Sequence, residues 1–175
     1  MRNELVRALL DVDALEYGEF NLASGRKSNY YFNIKKAITD PRVLSIISKK
    51  VIENIPTLLC HVDAIAGVEI GGVPIATAVS LDTGIPLIIV RKKSKGYGIG
   101  DSFIGDVEGK RIVLVEDVTT TGSSVIKGIE KIRDNCGIVD TVITVADRDE
   151  GARHNLGILG VKLIMLVKHS DLRGE

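Results

Sequence analysis

The second half of the chain alternates short apolar runs with segments of helical periodicity. From Asp63 onward the apolar runs occupy residues 64–68, 86–90, 112–115, 139–145 and 161–167. Apolar runs of this length, bounded by turn residues, are typical of parallel strands covered on both faces. Strands separated by helices predict an α/β fold, with a central parallel sheet flanked by helices and right-handed crossovers. Ligands bind such sheets at the carboxyl ends of the strands.

The N-terminal residues predict a helix, a hairpin and a second helix. Apolar residues on one helical face indicate the first helix: Leu5, Val6, Leu9 and Leu10. Apolar and aromatic residues on either side of Ser24 and Gly25 favour a β-hairpin, with Arg26, Lys27 and Ser28 at its bend. Asp40 before Pro41 is a helix-start signal, and Pro56 ends the apolar periodicity that follows it.

Composition excludes several classes of protein. The 175 residues suit a single domain spanning 1–175, and we find no internal repeat or linker. Net charge is zero, which argues against a general polyanion binder, and no apolar run could span a bilayer. Cys60 and Cys136 lack metal-ligand spacing. We expect them to be reduced, mostly buried thiols of a cytoplasmic protein.

The segment IVLVEDVTTTGSS, residues 112–124, is suited to bind a phosphorylated sugar. An apolar strand leads into Glu116 and Asp117, and a hydroxyl-rich loop follows, ending near Gly122. Helical periodicity begins directly afterwards, and a helix N-terminus is a ready anion site. The periodic residues are Val125, Ile126, Ile129, Ile132 and Cys136. An ordinary helix cap and a salt-bridged acidic pair are the alternatives.

Three further loops carry candidate groups at strand ends. Residues 69–72 place two adjacent glycines between a strand and a helix, where backbone amides could face a diphosphate or form a plain tight turn. Residues 91–105 combine four cations with three alternating glycines, Gly96, Gly98 and Gly100, as a flap closing over an anion or as a solvated loop. Arg148 could bind a carboxylate bidentately or pair with its acidic neighbours.

Four of these motifs, in this order, resemble the type I phosphoribosyltransferase family, and most closely its orotate-specific members. FNLASGRKSNYYF resembles the N-terminal hood signature, VRKKSKGYG the catalytic flap, VLVEDVTTTGSS the motif for phosphoribosyl diphosphate (PRPP), and DRDEG the orotate-contacting segment. The resemblance implies the family's sheet with a small hood at about residues 1–36. It also implies transfer of ribose 5-phosphate from PRPP to orotate, as a step of pyrimidine biosynthesis.

The resemblance also implies residue roles. Lys95, Glu116 and Asp117 would be catalytic, and Lys27, Thr120 and Arg148 would contact orotate. PRPP would be bound by Glu69, Gly71, Gly72, Arg91, Lys92, Lys95, Tyr97, Glu116, Asp117, Val118, Thr119, Thr120, Thr121, Gly122, Ser123 and Ser124. Mg²⁺ would be held mainly by PRPP and water, without a dedicated protein site. The flap of residues 91–105 would reach the other subunit of a homodimer.

One position departs from the pattern. Many bacterial relatives have histidine after the flap lysine, where this chain has Tyr97. Tyrosine can hydrogen-bond, but it carries no positive charge near pH 7.

Two other functions fit parts of the sequence. A purine phosphoribosyltransferase would share the strand-end motifs, so only the base-contacting residues discriminate, and Lys27 and Arg148 favour orotate. A PRPP-sensing transcription regulator would need a DNA-reading element such as a helix-turn-helix. Fewer than twenty residues precede the hood signature, which we expect to be too few for that module.

Overall fold

The computed structural model describes residues 4–21, 27–54, 61–92, 102–167 and 171. Its helices are α1 (Glu4–Asp11), α2 (Ile34–Ala37), α3 (Pro41–Glu53), α4 (Gly72–Thr83), α5 (Ser123–Arg133) and α6 (Ala152–Ile158). Its strands are β1 (Leu15–Asn21), β2 (Lys27–Phe32), β3 (Ala64–Val68), β4 (Leu87–Val90), β5 (Phe103–Ile104), β6 (Arg111–Thr119), β7 (Ile138–Asp147) and β8 (Lys162–Val167).

The N-terminal elements confirm the predicted helices and hairpin. Asp40 caps α3 by accepting hydrogen bonds from the backbone amides of Arg42 and Val43, and Pro41 occupies the first turn, where its missing N–H costs nothing. Strands β1 and β2 pair antiparallel. Lys27 and Ser28 lie within β2 and not at the bend, which corrects the prediction, because Asn21 already pairs with Lys27.

The main sheet has the order β5-β4-β3-β6-β7-β8. Five strands run parallel, as predicted. The edge strand β5 pairs antiparallel with β4, with Val90 opposite Phe103. This pairing adds an antiparallel edge to the predicted parallel sheet. It corrects one expectation, because Phe103–Ile104 belong to the sheet and not to a flap ending at residue 105.

Both faces of the sheet are buried, as continuous apolar strands require. Along β6, Val113 and Val115 belong to one core cluster, whereas Ile112 and Leu114 belong to the other, because successive side chains point to opposite faces. The first cluster includes buried residues of α1, α3, α4 and the hairpin. The second includes buried residues of α5 and α6. The hairpin is therefore packed on one face of the sheet.

Two predicted boundaries are wrong around β6. The strand does not end at Val115: it stays paired with β7 as far as Thr119, which lies opposite Asp147. Glu116 and Asp117 are therefore strand residues. Helix α5 ends at Arg133, so Cys136 lies beyond it, exposed and with φ 62°. The expectation of a buried thiol fails there, and Cys60 lies outside the described residues.

Within the described residues, none of the helices has the length and apolarity needed to cross a membrane.

Candidate active site

The strand order places a crevice between the carboxyl ends of β3 and β6. From β3 the chain passes to β4 on one side, and it later returns to β6 on the other side. Such a reversal leaves the loops after the two central strands on diverging sides, and ligands of open α/β sheets bind there. β3 pairs with β6 only as far as Val115, so residues 116–119 of β6 have no β3 partner in that ladder. The turn after β3 fills part of this space.

The turn between β3 and α4 packs against β6 at distances that only glycine allows. A Cβ on Gly71 would lie 2.2 Å from the Asp117 carboxyl group. A Cβ on Gly72 would lie 2.3 Å from the Val115 carbonyl oxygen. The adjacent glycines are therefore required by close packing against β6, a role the sequence analysis did not identify. The peptide bond between Glu69 and Ile70 in this turn is cis.

The acidic pair is buried at the end of β6. Glu116 is 4% exposed and Asp117 8% exposed. The backbone amide of Asp117 donates to Glu116 Oε1 at 3.1 Å. Burial raises the pKa of Glu116 well above its usual value, and the neighbouring Asp117 raises it further. The anionic form of Glu116 is therefore costly here unless a ligand supplies hydrogen-bond donors or a cation.

The loop after β6 is held from one side. Gly122 has φ 79°, a conformation that favours glycine, and it precedes the first turn of α5. Three successive carbonyls, those of the last β6 residue and the first two loop residues, accept hydrogen bonds from the segment after β7. These bonds are Arg148 N–H to Thr119 at 2.9 Å, Ala152 N–H to Thr120 at 3.1 Å and Asn155 Nδ2 to Thr121 at 2.9 Å.

This anchoring directs the loop's amide groups. The C=O and N–H of a trans peptide unit point in opposite directions, and the cis bond of the described residues lies elsewhere, at Glu69. The amides of Thr120, Thr121 and Gly122 are therefore turned away from α6. These amides and the N-terminus of α5 provide N–H donors of the kind that bind a phosphate.

Arg148 is held against the hairpin. Its guanidinium carbon lies 5.1 Å from the centroid of the Tyr31 ring, within cation–π range. Its Nη2 donates to the Phe32 carbonyl at a long 3.5 Å. Next to it, burial raises the pKa of Asp147, and the hydrogen bond from the Thr119 hydroxyl opposes that shift. The segment after β7 thus connects the hairpin to the loop after β6.

One cavity, of about 270 Å³, joins these groups. Its lining brings together seven residues predicted from the sequence: Lys92, Glu116, Asp117, Val118, Thr120, Ser124 and Arg148. The other predicted residues in the described part of the chain are not among its lining: Lys27, Glu69, Gly71, Gly72, Arg91, Thr119, Thr121, Gly122 and Ser123. Lys95 and Tyr97 lie outside the described residues. All these binding roles stay predictions.

Two side chains predicted to bind substrates, those of Lys27 and Thr119, do not line this cavity. Lys27 is exposed at the far end of β2, about 17 Å along the strand from Phe32, which lines the cavity. The Thr119 side chain is directed to Asp147, to which its hydroxyl donates at 2.8 Å.

Sequence reasoning missed the hairpin side of the cavity. The additional lining residues are Tyr31, Phe32, Asn33, Ile34 and Lys35. Their sequence signal was the aromatic pair before α2, which we assigned to the hairpin and to the hood signature without predicting that it lines the site. A site formed where the hairpin meets the sheet depends on contacts between distant parts of the chain, and periodicity does not report such contacts.

Comparisons with known proteins agree with this arrangement. The model of the phosphoribosyl transferase domain matches residues 36–164. An orotate phosphoribosyltransferase from Methanosarcina mazei is 50% identical over 172 residues, 98% of this chain and 91% of that protein.

Solved structures show the same relation. The crystal structure of orotate phosphoribosyltransferase from Aeropyrum pernix is 34% identical, with a TM-score of 0.85, covering 95% of this chain and 94% of that one. The Mycobacterium tuberculosis enzyme in complex with PRPP is 27% identical, with a TM-score of 0.78, covering 97% and 99%. This chain therefore belongs to the phosphoribosyltransferase family and, within it, to the orotate phosphoribosyltransferases.

Proposed function

We propose that this chain transfers ribose 5-phosphate from PRPP to N1 of orotate. The C1'–O bond to the diphosphate breaks, a C1'–N1 bond forms, and N1 loses its proton. The products are orotidine 5'-monophosphate and diphosphate, a step of pyrimidine biosynthesis. The observation that carries the proposal is the single cavity lined by the acidic pair, the loop after β6, Lys92 and Arg148.

The loop after β6 and the acidic pair would bind different parts of the ribose phosphate. The 5-phosphate would accept hydrogen bonds from the amides of residues 118–124 at the start of α5. Glu116 and Asp117 would accept hydrogen bonds from the ribose hydroxyls. Those hydroxyls would offset the burial that disfavours the Glu116 anion. Carboxylates fixed beside the ribose also favour the positive character that C1' gains as its bond to diphosphate breaks.

Cationic side chains would stabilise the leaving diphosphate. Lys92 lines the cavity, and Lys95 in the flap is the group we expect to contribute most to catalysis. The available donors fit Mg²⁺, because carboxylate, phosphate and water oxygens are the ligands it prefers. The ion would be held mainly by PRPP and water. When bound, Mg²⁺ would neutralise part of the diphosphate charge.

Arg148 would recognise orotate. A guanidinium can form two parallel hydrogen bonds with the orotate carboxylate. Its contact with Tyr31 holds it at the hairpin side of the cavity. Thr120 and Lys27 are the other proposed orotate contacts. Since Lys27 lies away from this cavity, its proposed contact requires a different arrangement of the hairpin or a second subunit.

A purine phosphoribosyltransferase is the alternative. The acidic pair and the loop after β6 would serve PRPP equally well with any base. The cationic guanidinium at the base side favours an acidic pyrimidine, because hypoxanthine and guanine carry no carboxylate.

The assembly and location belong to the same proposal. We infer a homodimer in which the flap of one subunit completes the active site of the other, with small-molecule substrates and no nucleic-acid or membrane partner. We also infer a cytoplasmic enzyme, because its cysteines follow no disulfide or metal pattern.

Steady-state kinetics of Arg148→Ala test the proposed orotate contact. We expect the KM for orotate to rise at least tenfold with a small change in the KM for PRPP, because a charge-assisted bidentate contact is lost. Arg153→Ala is the matched control, since Arg153 is exposed in α6 of the same segment. An unchanged KM for orotate in Arg148→Ala would contradict the assignment.

A further inference from the structure

Hydrogen bonds fix the backbone of Arg91 and Lys92, the two residues that follow β4. The Arg91 amide donates to the Ser102 carbonyl at 2.9 Å, which joins the two ends of the segment between β4 and β5. The Lys92 amide donates to Glu69 Oε2 at 3.2 Å. Both carbonyls accept from the Lys131 ammonium group, at 2.5 Å for Arg91 and 3.4 Å for Lys92. Each backbone polar group of the two residues therefore has a partner.

Lys131 supplies the contacts that come from a distant part of the chain. It is half-buried in the last turn of α5, about 12 Å along the helix from Ser123 at its first turn. An ammonium group has three donors and no acceptor, so one lysine can hold two carbonyls at once. Helix α5 thus connects the loop proposed for the 5-phosphate, at its N-terminus, to the segment proposed for the diphosphate, at its C-terminus.

We propose that Lys131 is a positioning residue that fixes the backbone of Arg91 and Lys92, so that their side chains meet the diphosphate of PRPP. The inference rests on the proposed function. Lys92 lines the cavity beside Glu116 and Asp117, and a side chain reaches a defined point only if its own backbone is fixed. Without Lys131 the Arg91 and Lys92 carbonyls lose their charged donor, and the cations are presented less often in the binding geometry.

Equilibrium binding separates this role from a general structural one. The ligands are PRPP and ribose 5-phosphate, which share the 5-phosphate and differ in the diphosphate. For Lys131→Met we expect the Kd for PRPP to rise about tenfold, because one charge-assisted interaction is lost. The Kd for ribose 5-phosphate should change less than about twofold. Lys131→Arg should restore most of the PRPP affinity, because it keeps a charged donor.

Lys127→Met is the matched control, because Lys127 is exposed one turn earlier in α5 and carries the same charge. Equal PRPP affinities for Lys131→Met and Lys127→Met would overturn the inference. Equal losses for PRPP and ribose 5-phosphate would also overturn it, because the defect would then lie in α5 as a whole. A wild-type protein that binds neither ligand would overturn the proposed function and this inference with it. If Lys131→Met does not fold, Lys131→Gln provides the same comparison.

Discussion

Two neighbouring glycines in the turn after β3 make different contacts with β6. A Cβ on Gly71 would meet a side chain, that of Asp117, whereas a Cβ on Gly72 would meet backbone, the Val115 carbonyl. The Asp117 carboxylate can rotate away, but the Asp117 Cβ, 2.8 Å from the added atom, is fixed to the strand backbone. The same substitution should therefore lower stability at both positions, and at Gly71 it should also displace the Asp117 carboxylate.

Gly71→Ala should lower kcat/KM at least tenfold, because it displaces the Asp117 carboxylate from the proposed ribose site, and it should also lower stability, because the added methyl group meets the Asp117 Cβ. Gly72→Ala should lower the free energy of unfolding by ~1–3 kcal/mol, the usual cost of overpacking. Denaturant titration and steady-state kinetics of both variants check this. A Gly71→Ala enzyme with wild-type kinetics would show that Asp117 need not occupy the position seen here.

Glu116→Gln should change how stability depends on pH. Burial raises the pKa of Glu116 in the fold above its usual value of 4.5. The stability contributed by the neutral carboxyl is therefore complete below about pH 4.5 and is lost as the pH rises through the folded-state pKa. The ligand-free Gln variant should have a higher Tm than wild type at pH 8, and the difference should shrink toward pH 4.5. Its activity should be strongly reduced.

Thermal melts from pH 4.5 to 8.5, without substrates, measure the effect. Glu130→Gln in α5 is the control, because Glu130 is exposed. A Tm difference for Glu116→Gln that does not vary with pH would mean that the glutamate is not destabilised by its burial.

At the scale of elements, the segment after β7 and helix α6 hold the loop after β6. They donate three hydrogen bonds to three successive carbonyls and so fix the orientation of three peptide units. Two of these donors are backbone amides, which side-chain substitution leaves in place. The Asn155 amide is the donor that a substitution can remove.

Asn155→Ala should weaken binding of ribose 5-phosphate about fivefold, because one hydrogen bond contributes roughly 1 kcal/mol. The Thr121–Gly122 peptide unit would lose its fixed orientation, and the Gly122 amide would face the phosphate less often. Isothermal titration with ribose 5-phosphate is the measurement. His154→Ala, at an exposed position of the same helix, should bind as wild type does. Equal affinities for the two variants would contradict the anchoring role.

The elements were predictable from sequence where local patterns determine them. The bounds of β3 and the cap at Asp40 follow from an apolar run and from an Asp-Pro helix start, so the prediction matched the structure. The extension of β6 to Thr119 was missed because pairing with β7, a contact between distant segments, keeps polar residues in a strand. The edge strand β5 was missed for the same reason. Two residues carry no periodicity, and only pairing with β4 defines them.

The candidate site was predictable in part, for a similar reason. Sequence motifs identify the groups that a strand end must carry, such as Glu116, Asp117 and Arg148. They do not show which distant segments close the cavity, so Tyr31 and Lys131 were not predicted.

At the scale of the molecule, the hairpin and the sheet share a core. Leu15 and Phe32 of the hairpin are buried in the same cluster as Val115 and Ile143 of the sheet. We therefore retain the proposal of a single domain over residues 1–175, with the hood as a subregion. We also propose that two such chains form the functional unit.

Mixing two inactive variants tests the shared flap. Lys95→Ala and Asp117→Asn should each be nearly inactive alone. If the flap acts across subunits, a heterodimer has one active site with both substitutions and one with neither. Random exchange should then restore about a quarter of the active sites. The mixture is assayed after subunit exchange, with unmixed variants as controls. A mixture no more active than its components would place the flap on its own subunit's site or show that the chain is a monomer.

The most direct test of the proposed reaction is diphosphate release from PRPP with Mg²⁺ and one base at a time. The bases are orotate, hypoxanthine, guanine and adenine, with a base-free reaction as the blank. We expect release with orotate, accompanied by formation of orotidine 5'-monophosphate, and no release above the blank with the purines. Release with hypoxanthine, guanine or adenine but not with orotate would contradict the account.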